Sequence, residues 1–171
     1  MKKYVFIIIL SFLITSSASA RKVGCKEGNC ENGFGLWVST DGTTYEGEWA
    51  GTKKNGQGVE TWPNGYIYKG EFKNSEWSGQ GTLTFPNGAT YEGEWAGTKK
   101  NGQGIETWPN GYIYKGEFKN SEWSGQGTLT FPNGATYEGE WANGFMNGKG
   151  TFTWSDGKQK KGIWKNGKLQ E

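Results

Sequence analysis

Between clusters of turn-forming residues, polar and apolar positions alternate along this chain with a period of two, the signature of strands with one buried face. The run Gly56-Gln57-Gly58-Val59-Glu60-Thr61-Trp62 leads into Pro63-Asn64-Gly65, and Tyr66-Ile67-Tyr68-Lys69-Gly70-Glu71-Phe72 leads out of it. Proline presets the first turn position, asparagine tolerates the second, and glycine accepts positive φ at the third. That combination predicts a three-residue hairpin connection closed by a glycine bulge. The same turn recurs at Pro86-Asn87-Gly88, Pro109-Asn110-Gly111 and Pro132-Asn133-Gly134, while Asp41-Gly42 and Asp156-Gly157 stand in without the proline. All four prolines of the chain lie in these turns, so none interrupts a strand. After residue 20 no stretch carries apolar residues at helical spacing, and the expectation is strand throughout.

The turns fix a register. Trp62 should lie opposite Tyr66, Glu60 opposite Tyr68, Gly58 opposite Gly70 and Gly56 opposite Phe72, all on one face. In the next hairpin Leu83 meets Tyr91, Gly81 meets Gly93, and Gly79 meets Trp95. Large rings therefore face glycines, where a ring can fold over bare backbone. The opposite face, with Gln57, Val59, Lys69, Glu71, Thr82 and Glu92, is mostly polar and belongs in water.

The pattern is also a repeat. Residues 44–96 recur as 90–142, with Val59 becoming Ile105 as the one change, and a shorter period of 23 runs inside that unit. Tyr45-Glu46-Gly47-Glu48-Trp49 returns at Tyr68, Tyr91, Tyr114 and Tyr137. This divides the chain into a segment 1–20, a degenerate first repeat 21–44, five full repeats (45–67, 68–90, 91–113, 114–136, 137–159) and a partial repeat 160–171. A lone hairpin is marginal, whereas stacked hairpins share one aromatic face. The predicted fold is all-β: an elongated single-layer antiparallel meander of stacked 23-residue β-hairpins, with about thirteen strands spanning roughly 60 Å.

The frame Tyr45-x-Gly47-x-Trp49, Gly56-x-Gly58, Pro63-Asn64-Gly65 resembles the MORN (membrane occupation and recognition nexus) repeat, and the resemblance covers all of 21–171. The opening Cys25…Cys30-Glu31-Asn32-Gly33-x-Gly35 resembles the first repeat of exported bacterial MORN proteins. The resemblance implies a twisted single sheet used for scaffolding, dimerisation or contact with membranes and proteins. Two departures stand out. Thr52, Ser75, Thr98 and Ser121 occupy a loop position where the family usually has glycine, kept here at Gly144. Glu60 and Glu106 sit where the family prefers an apolar residue, as Leu83, Leu129 and Phe152 show.

Composition and charge narrow the function. Lys2 and Lys3, an apolar core from Tyr4 to Ile14, and Ala18-Ser19-Ala20 form a signal peptide cleaved after Ala20, which places the protein in the periplasm or outside the cell. Cys25 is not read as a lipid-anchor site, because Lys22 stands where a lipobox has leucine. The remaining chain holds 17 basic and 17 acidic residues, so it lacks the net charge that nucleic acid or an anionic lipid surface would attract. Export makes a Cys25–Cys30 disulfide the default reading, and two cysteines with no histidine leave zinc short of ligands. No histidine means no His-activated nucleophile, Asp41 and Asp156 both lie in turns, and the repeated glutamates occupy equivalent environments; no catalytic set, metal site or cofactor site is expected. The Glu48, Glu71, Glu94, Glu117, Glu140 row could at most collect cations loosely.

Candidate binding residues form two clusters, Glu60 with Trp62, Tyr66 and Tyr68, and Glu106 with Trp108, Tyr112 and Tyr114. The bland expectation is a half-exposed carboxylate bonded to a tyrosine hydroxyl, with Lys53-Lys54 and Lys99-Lys100 as solvated loop pairs. The functional expectation is a pair of aromatic platforms with a polar anchor, four strands or about 19 Å apart. The leading reading is a protein-binding or scaffolding module at the cell envelope; a glycan binder comes second, a peripheral membrane-lipid binder third, and a homodimer is compatible with each.

Overall fold

The computed structural model describes residues 23–170. The expected signal peptide, residues 1–20, and the expected cleavage after Ala20 lie outside the described residues. Fourteen strands follow one another: β1 (Gly24–Gly28), β2 (Asn32–Val38), β3 (Thr44–Ala50), β4 (Lys53–Thr61), β5 (Ile67–Lys73), β6 (Glu76–Thr84), β7 (Thr90–Ala96), β8 (Lys99–Thr107), β9 (Ile113–Lys119), β10 (Glu122–Thr130), β11 (Thr136–Ala142), β12 (Phe145–Thr153), β13 (Gln159–Lys165) and β14 (Lys168–Leu169). Each pairs antiparallel with the next in one open sheet, and the described residues contain no helix. The expected thirteen strands become fourteen because Asn166-Gly167 makes one more tight turn, bringing Lys168 opposite Lys165 and Leu169 opposite Trp164.

The predicted register holds. Glu60 pairs with Tyr68, Gly58 with Gly70, Gly56 with Phe72, Leu83 with Tyr91, and Gly79 with Trp95. The three-residue turn closes as expected: Trp62 N–H donates to the Tyr66 carbonyl at 3.0 Å and Gly65 N–H to the Trp62 carbonyl at 2.9 Å, with Gly65 at φ 91°. From β3 onward the other end of the hairpins is a two-residue turn that uses positive φ, as at Asn74 (53°) and Ser75 (71°). Such turns match strand twist but favour glycine at the second position. Ser75 is retained there with compensation, since its hydroxyl accepts the Lys54 N–H at 3.1 Å while its own N–H donates to the Lys54 carbonyl at 2.8 Å. Ser121 makes the same two bonds to Lys100.

Beside each tight turn the register slips, between Gly47 and Trp49 for example, so that β4 bulges at Gly56 (φ 66°). The Glu48 carboxylate fills this bulge and accepts the Gln57 N–H at 3.0 Å; Glu71, Glu94 and Glu117 do the same for Gln80, Gln103 and Gln126. That corrects the idea of a loose cation row. These four carboxylates are already committed to backbone donors the bulge would otherwise leave unpaired.

One line of glycines crosses the sheet: Gly28, Gly35, Gly47, Gly58, Gly70, Gly81, Gly93, Gly104, Gly116, Gly127, Gly139, Gly150 and Gly162 are successive cross-strand partners. A Cβ on Gly58 would stand 2.5 Å from the Tyr45 ring, and one on Gly70 would stand 2.5 Å from the Gly81 backbone. Tyr45, Tyr68, Tyr91, Tyr114 and Tyr137 lie in the space so left and are at most 1% exposed. Each hydroxyl reaches across the belt to donate to a carbonyl, from Tyr45 to Glu48 at 2.9 Å through Tyr137 to Glu140 at 3.2 Å. Trp49, Trp95, Trp141 and Trp164 donate their indole N–H groups to belt carbonyls at Gly35, Gly81, Gly127 and Gly150.

These rings form one file, Trp49-Tyr45-Phe72-Tyr68-Trp95-Tyr91-Phe118-Tyr114-Trp141-Tyr137-Trp164, in which every neighbour pair meets edge to face with centroids 4.9–5.6 Å apart. Edge-to-face contacts add about 0.5–1.5 kcal/mol each beyond burial. A single-layer sheet thus builds its core from its own face.

Two predictions follow from the belt. Gly104→Ala, where φ is not positive but a Cβ would meet the Tyr91 ring, should cost about 3 kcal/mol in urea unfolding. Gly144→Ala, at φ 78° with open space around it, should cost only about 1 kcal/mol; equal losses would mean that the belt is not a packing constraint. Burial holds the five phenols above the ordinary tyrosine range near 10, and the neighbouring glutamates push the same way. Above that pH the unfolded chain releases protons that the folded chain keeps, so stability present below pH 10 falls as pH rises past it. The slope is about 1.4 kcal/mol per pH unit for each ring, roughly 7 for five. Tyrosinate absorbance from these rings should therefore appear together with loss of the β signature, not before it.

Candidate functional site

Both Glu60 and Glu106 are buried, 8% and 9% exposed, and neither bonds a tyrosine hydroxyl. The Glu60 carboxylate instead pairs with the Lys54 ammonium on its own strand, six residues earlier, and accepts the Trp77 indole N–H at 3.5 Å. Glu106 repeats this with Lys100 and Trp123, the latter at 3.3 Å. Lys54 Nζ also lies 5.2 Å from the centre of the Tyr45 ring and 5.9 Å from that of Phe72, a cation–π setting. The expectation of solvated lysine pairs therefore holds only for Lys53 and Lys99, which are exposed. Lys54 turns inward because the tight turn at Gly51-Thr52 extends β4 as far as Lys53 and sets Lys54 opposite Trp49 on the aromatic face.

The equivalent place in the next hairpin holds Trp77, opposite Phe72. The Trp77 ring stacks flat on Tyr68, with centroids 4.1 Å apart and planes 2° apart; Trp123 does so on Tyr114 at 4.3 Å and 3°. The strand position that carries Lys54, Trp77, Lys100, Trp123 and Met146 thus changes in step with the position that carries Glu60, Leu83, Glu106, Leu129 and Phe152. Lysine goes with glutamate, tryptophan with leucine, methionine with phenylalanine.

This arrangement produces two matching clefts. Trp62 and Trp77 meet at 72° with centroids 5.7 Å apart, and with Asn64, Tyr66 and Leu83 they line a cleft of about 140 Å³. Trp108 and Trp123 meet at 74° and 5.7 Å and, with Asn110 and Tyr112, line one of about 150 Å³. Of the residues singled out in sequence, Trp62, Tyr66, Trp108 and Tyr112 form cleft walls. Tyr68 and Tyr114 are fully buried and support the clefts from beneath. The carboxylates brace the indoles and are not free anchors. Sequence reasoning missed Trp77 and Trp123, although the lockstep exchange with Leu83 and Leu129 marks them.

Cys25 and Cys30 are bonded, with Sγ atoms 2.05 Å apart. The bridge borders a further concavity of about 840 Å³ that also takes in Trp37, Trp49, Lys54 and Ser75. It opens where the first hairpin lacks the tyrosine and tryptophan that close the aromatic face elsewhere.

The MORN repeat model matches residues 45–65, 68–90, 91–111, 114–136 and 137–159. No curated protein matches the chain. Among solved structures, the TCP domain of Drosophila melanogaster SAS-4 (dCPAP), in complex with a proline rich motif of Ana2 (dSTIL), is similar with a TM-score of 0.54 and 13% identity, over 90% of this chain and 86% of that one. The wild-type TCP10 domain of Danio rerio CPAP gives a TM-score of 0.47 and 16% identity, over 76% of this chain and 62% of that one. The SAS-4 likeness is one of fold.

The lockstep exchange predicts a coupling. Glu60→Leu alone strands the Lys54 ammonium among aromatic rings and should cost about 3 kcal/mol in urea unfolding. Lys54→Trp added to it rebuilds the Trp77–Leu83 arrangement and should recover most of that loss. Additive losses across the double-mutant cycle would show that the two positions do not share one space.

Proposed function

The chain belongs to the MORN repeat family, and we propose that it is an exported, non-catalytic protein-binding module whose contact points are the two tryptophan clefts. The observation that carries this reading is the duplication itself. Trp62-Tyr66-Trp77 and Trp108-Tyr112-Trp123 are half-buried rings set in the same geometry on one face of one sheet, 46 residues apart in sequence. Half-exposed tryptophan held rigidly is what binding surfaces use for anchors, because little side-chain entropy is lost on contact. The SAS-4 TCP domain, with the same kind of fold, is held in complex with a peptide motif, which supports a protein partner. The balanced charge of residues 21–171 argues for contact by aromatic burial and against electrostatic attraction to lipid.

In this reading residues 1–20 direct export, the protein acts at the envelope or outside the cell, and the bridged first hairpin closes the N-terminal end of the sheet. Mature protein from its native compartment should have a mass starting at Arg21, and a Met1 start would remove the export claim. Residues 21–171 used as bait should retain a protein from envelope material at both low and high salt. Trp62→Ala/Trp108→Ala, with its β signature intact, should lose that protein. Retention that disappears with salt, or recovery of glycan or lipid alone, would overturn the protein-binding reading.

A further inference from the structure

Resting on the protein-binding reading, we propose that the partner segment is an uncharged polyproline II stretch that seats one proline ring in each cleft, with the two prolines six residues apart. The size of the clefts comes first. At about 140 and 150 Å³ each is well below the ~300–1,000 Å³ of a pocket that encloses a whole small ligand. Each has room for one side chain of a longer molecule.

Polarity comes next. The carboxylate beside each cleft is neutralised by Lys54 or Lys100 and bonded by Trp77 or Trp123, and among the described residues no buried side-chain polar atom lacks a partner. The occupant is therefore uncharged at the contacts and needs no polar anchor, which favours proline over a sugar hydroxyl.

Spacing selects the conformation. Trp62 follows β4 and Trp108 follows β8, so the clefts are four strand steps apart, about 19 Å. A polyproline II helix rises 3.1 Å per residue with three residues per turn, so six residues advance about 19 Å in two whole turns and present the same edge again. An α-helix needs roughly 13 residues for that distance, about 3.6 turns, and arrives facing away. An added β-strand requires a free sheet edge, and the clefts lie on a face. Between them Tyr66 lies against Phe85 at 5.6 Å and Ala89 is buried, and the Lys100 ammonium, 5.6 Å from the Phe85 ring, is already neutralised by Glu106. A polyproline II backbone makes no internal hydrogen bonds and keeps its own hydration, so it can lie across this surface without leaving donors unpaired.

The test uses residues 21–171 and three synthetic uncharged peptides, read by tryptophan fluorescence: one Pro-Pro pair, two pairs six residues apart, and two pairs eight residues apart. The six-residue spacing should bind at least ~10-fold more tightly than the single pair, because the second contact is intramolecular. The eight-residue spacing, which is not a whole number of turns, should gain no more than about two-fold. Trp108→Ala should bring the six-spaced peptide down to the affinity of the single pair for the unsubstituted protein. Equal affinity for the two spacings would overturn the two-cleft register. If no proline peptide binds while the envelope protein is still captured through Trp62 and Trp108, the polyproline assignment fails and the protein-binding reading survives. An uncharged β-linked hexasaccharide that perturbs these tryptophans when the peptides do not would overturn both.

Discussion

No side chain can stand between Tyr45 and the backbone beneath it, and the rest of this molecule is organised around that exclusion. Where Gly47 and Gly58 pair, the ring lies against bare main chain and its hydroxyl reaches the Glu48 carbonyl on the far side. A sheet usually buries a face by packing on a second layer. Here the second layer is the tyrosines themselves, lying across the glycine belt and joined edge to face by Phe72, Trp95, Phe118 and Trp141. The C-terminus obeys the same rule with a different residue. Leu169, not a tyrosine, covers Gly162, and the short β14 exists to hold it there.

A second constraint follows from the space left outside the tyrosine file. Each hairpin has one position there, on the strand after the tight turn, and from Lys54 to Trp123 it is filled in two chemically unrelated ways by turns. A stacked indole over leucine satisfies it by burial; a lysine bent back onto a glutamate satisfies it by charge neutralisation, with the neighbouring rings contributing cation–π attraction. The two solutions are linked across strands, since the indole of one hairpin donates to the glutamate of the hairpin before it. Alternating them turns a 23-residue structural period into a 46-residue chemical one. It is this longer period that produces two clefts rather than a uniform ridge.

Rigidity and spacing then connect fold to function. Of the cleft tryptophans, Trp77 and Trp123 are held by stacking on fully buried tyrosines and by a hydrogen bond to a paired carboxylate, and Trp62 and Trp108 meet them edge to face, so little remains to be ordered on contact. Strand spacing, a property of the hydrogen-bonded ladder, fixes the distance between the two clefts. In the proposed mode of binding, that spacing would act as a ruler for a ligand whose own repeat matches four strands.

The sequence by itself determined the hairpins, their register and the single sheet, because Pro-Asn-Gly turns and glycines at fixed spacing leave the backbone one pairing that puts Tyr45, Trp49 and their counterparts on one side. It also determined that Trp62, Tyr66, Trp108 and Tyr112 would share that side. Tertiary structure decided what the charged residues do. Glu48 and its counterparts look like a free acidic row until the bulge at Gly56 places the Gln57 N–H against the carboxylate. Lys54 looks like part of a solvated loop until a two-residue turn with positive φ extends β4 and turns it inward onto Glu60. Tyr68 looks like a binding residue until Trp77 stacks over it. Periodicity reports which face a residue takes. Whether that residue is covered depends on a bulge, a tight turn and a ring from the next hairpin, and these become visible only when neighbouring strands are in place.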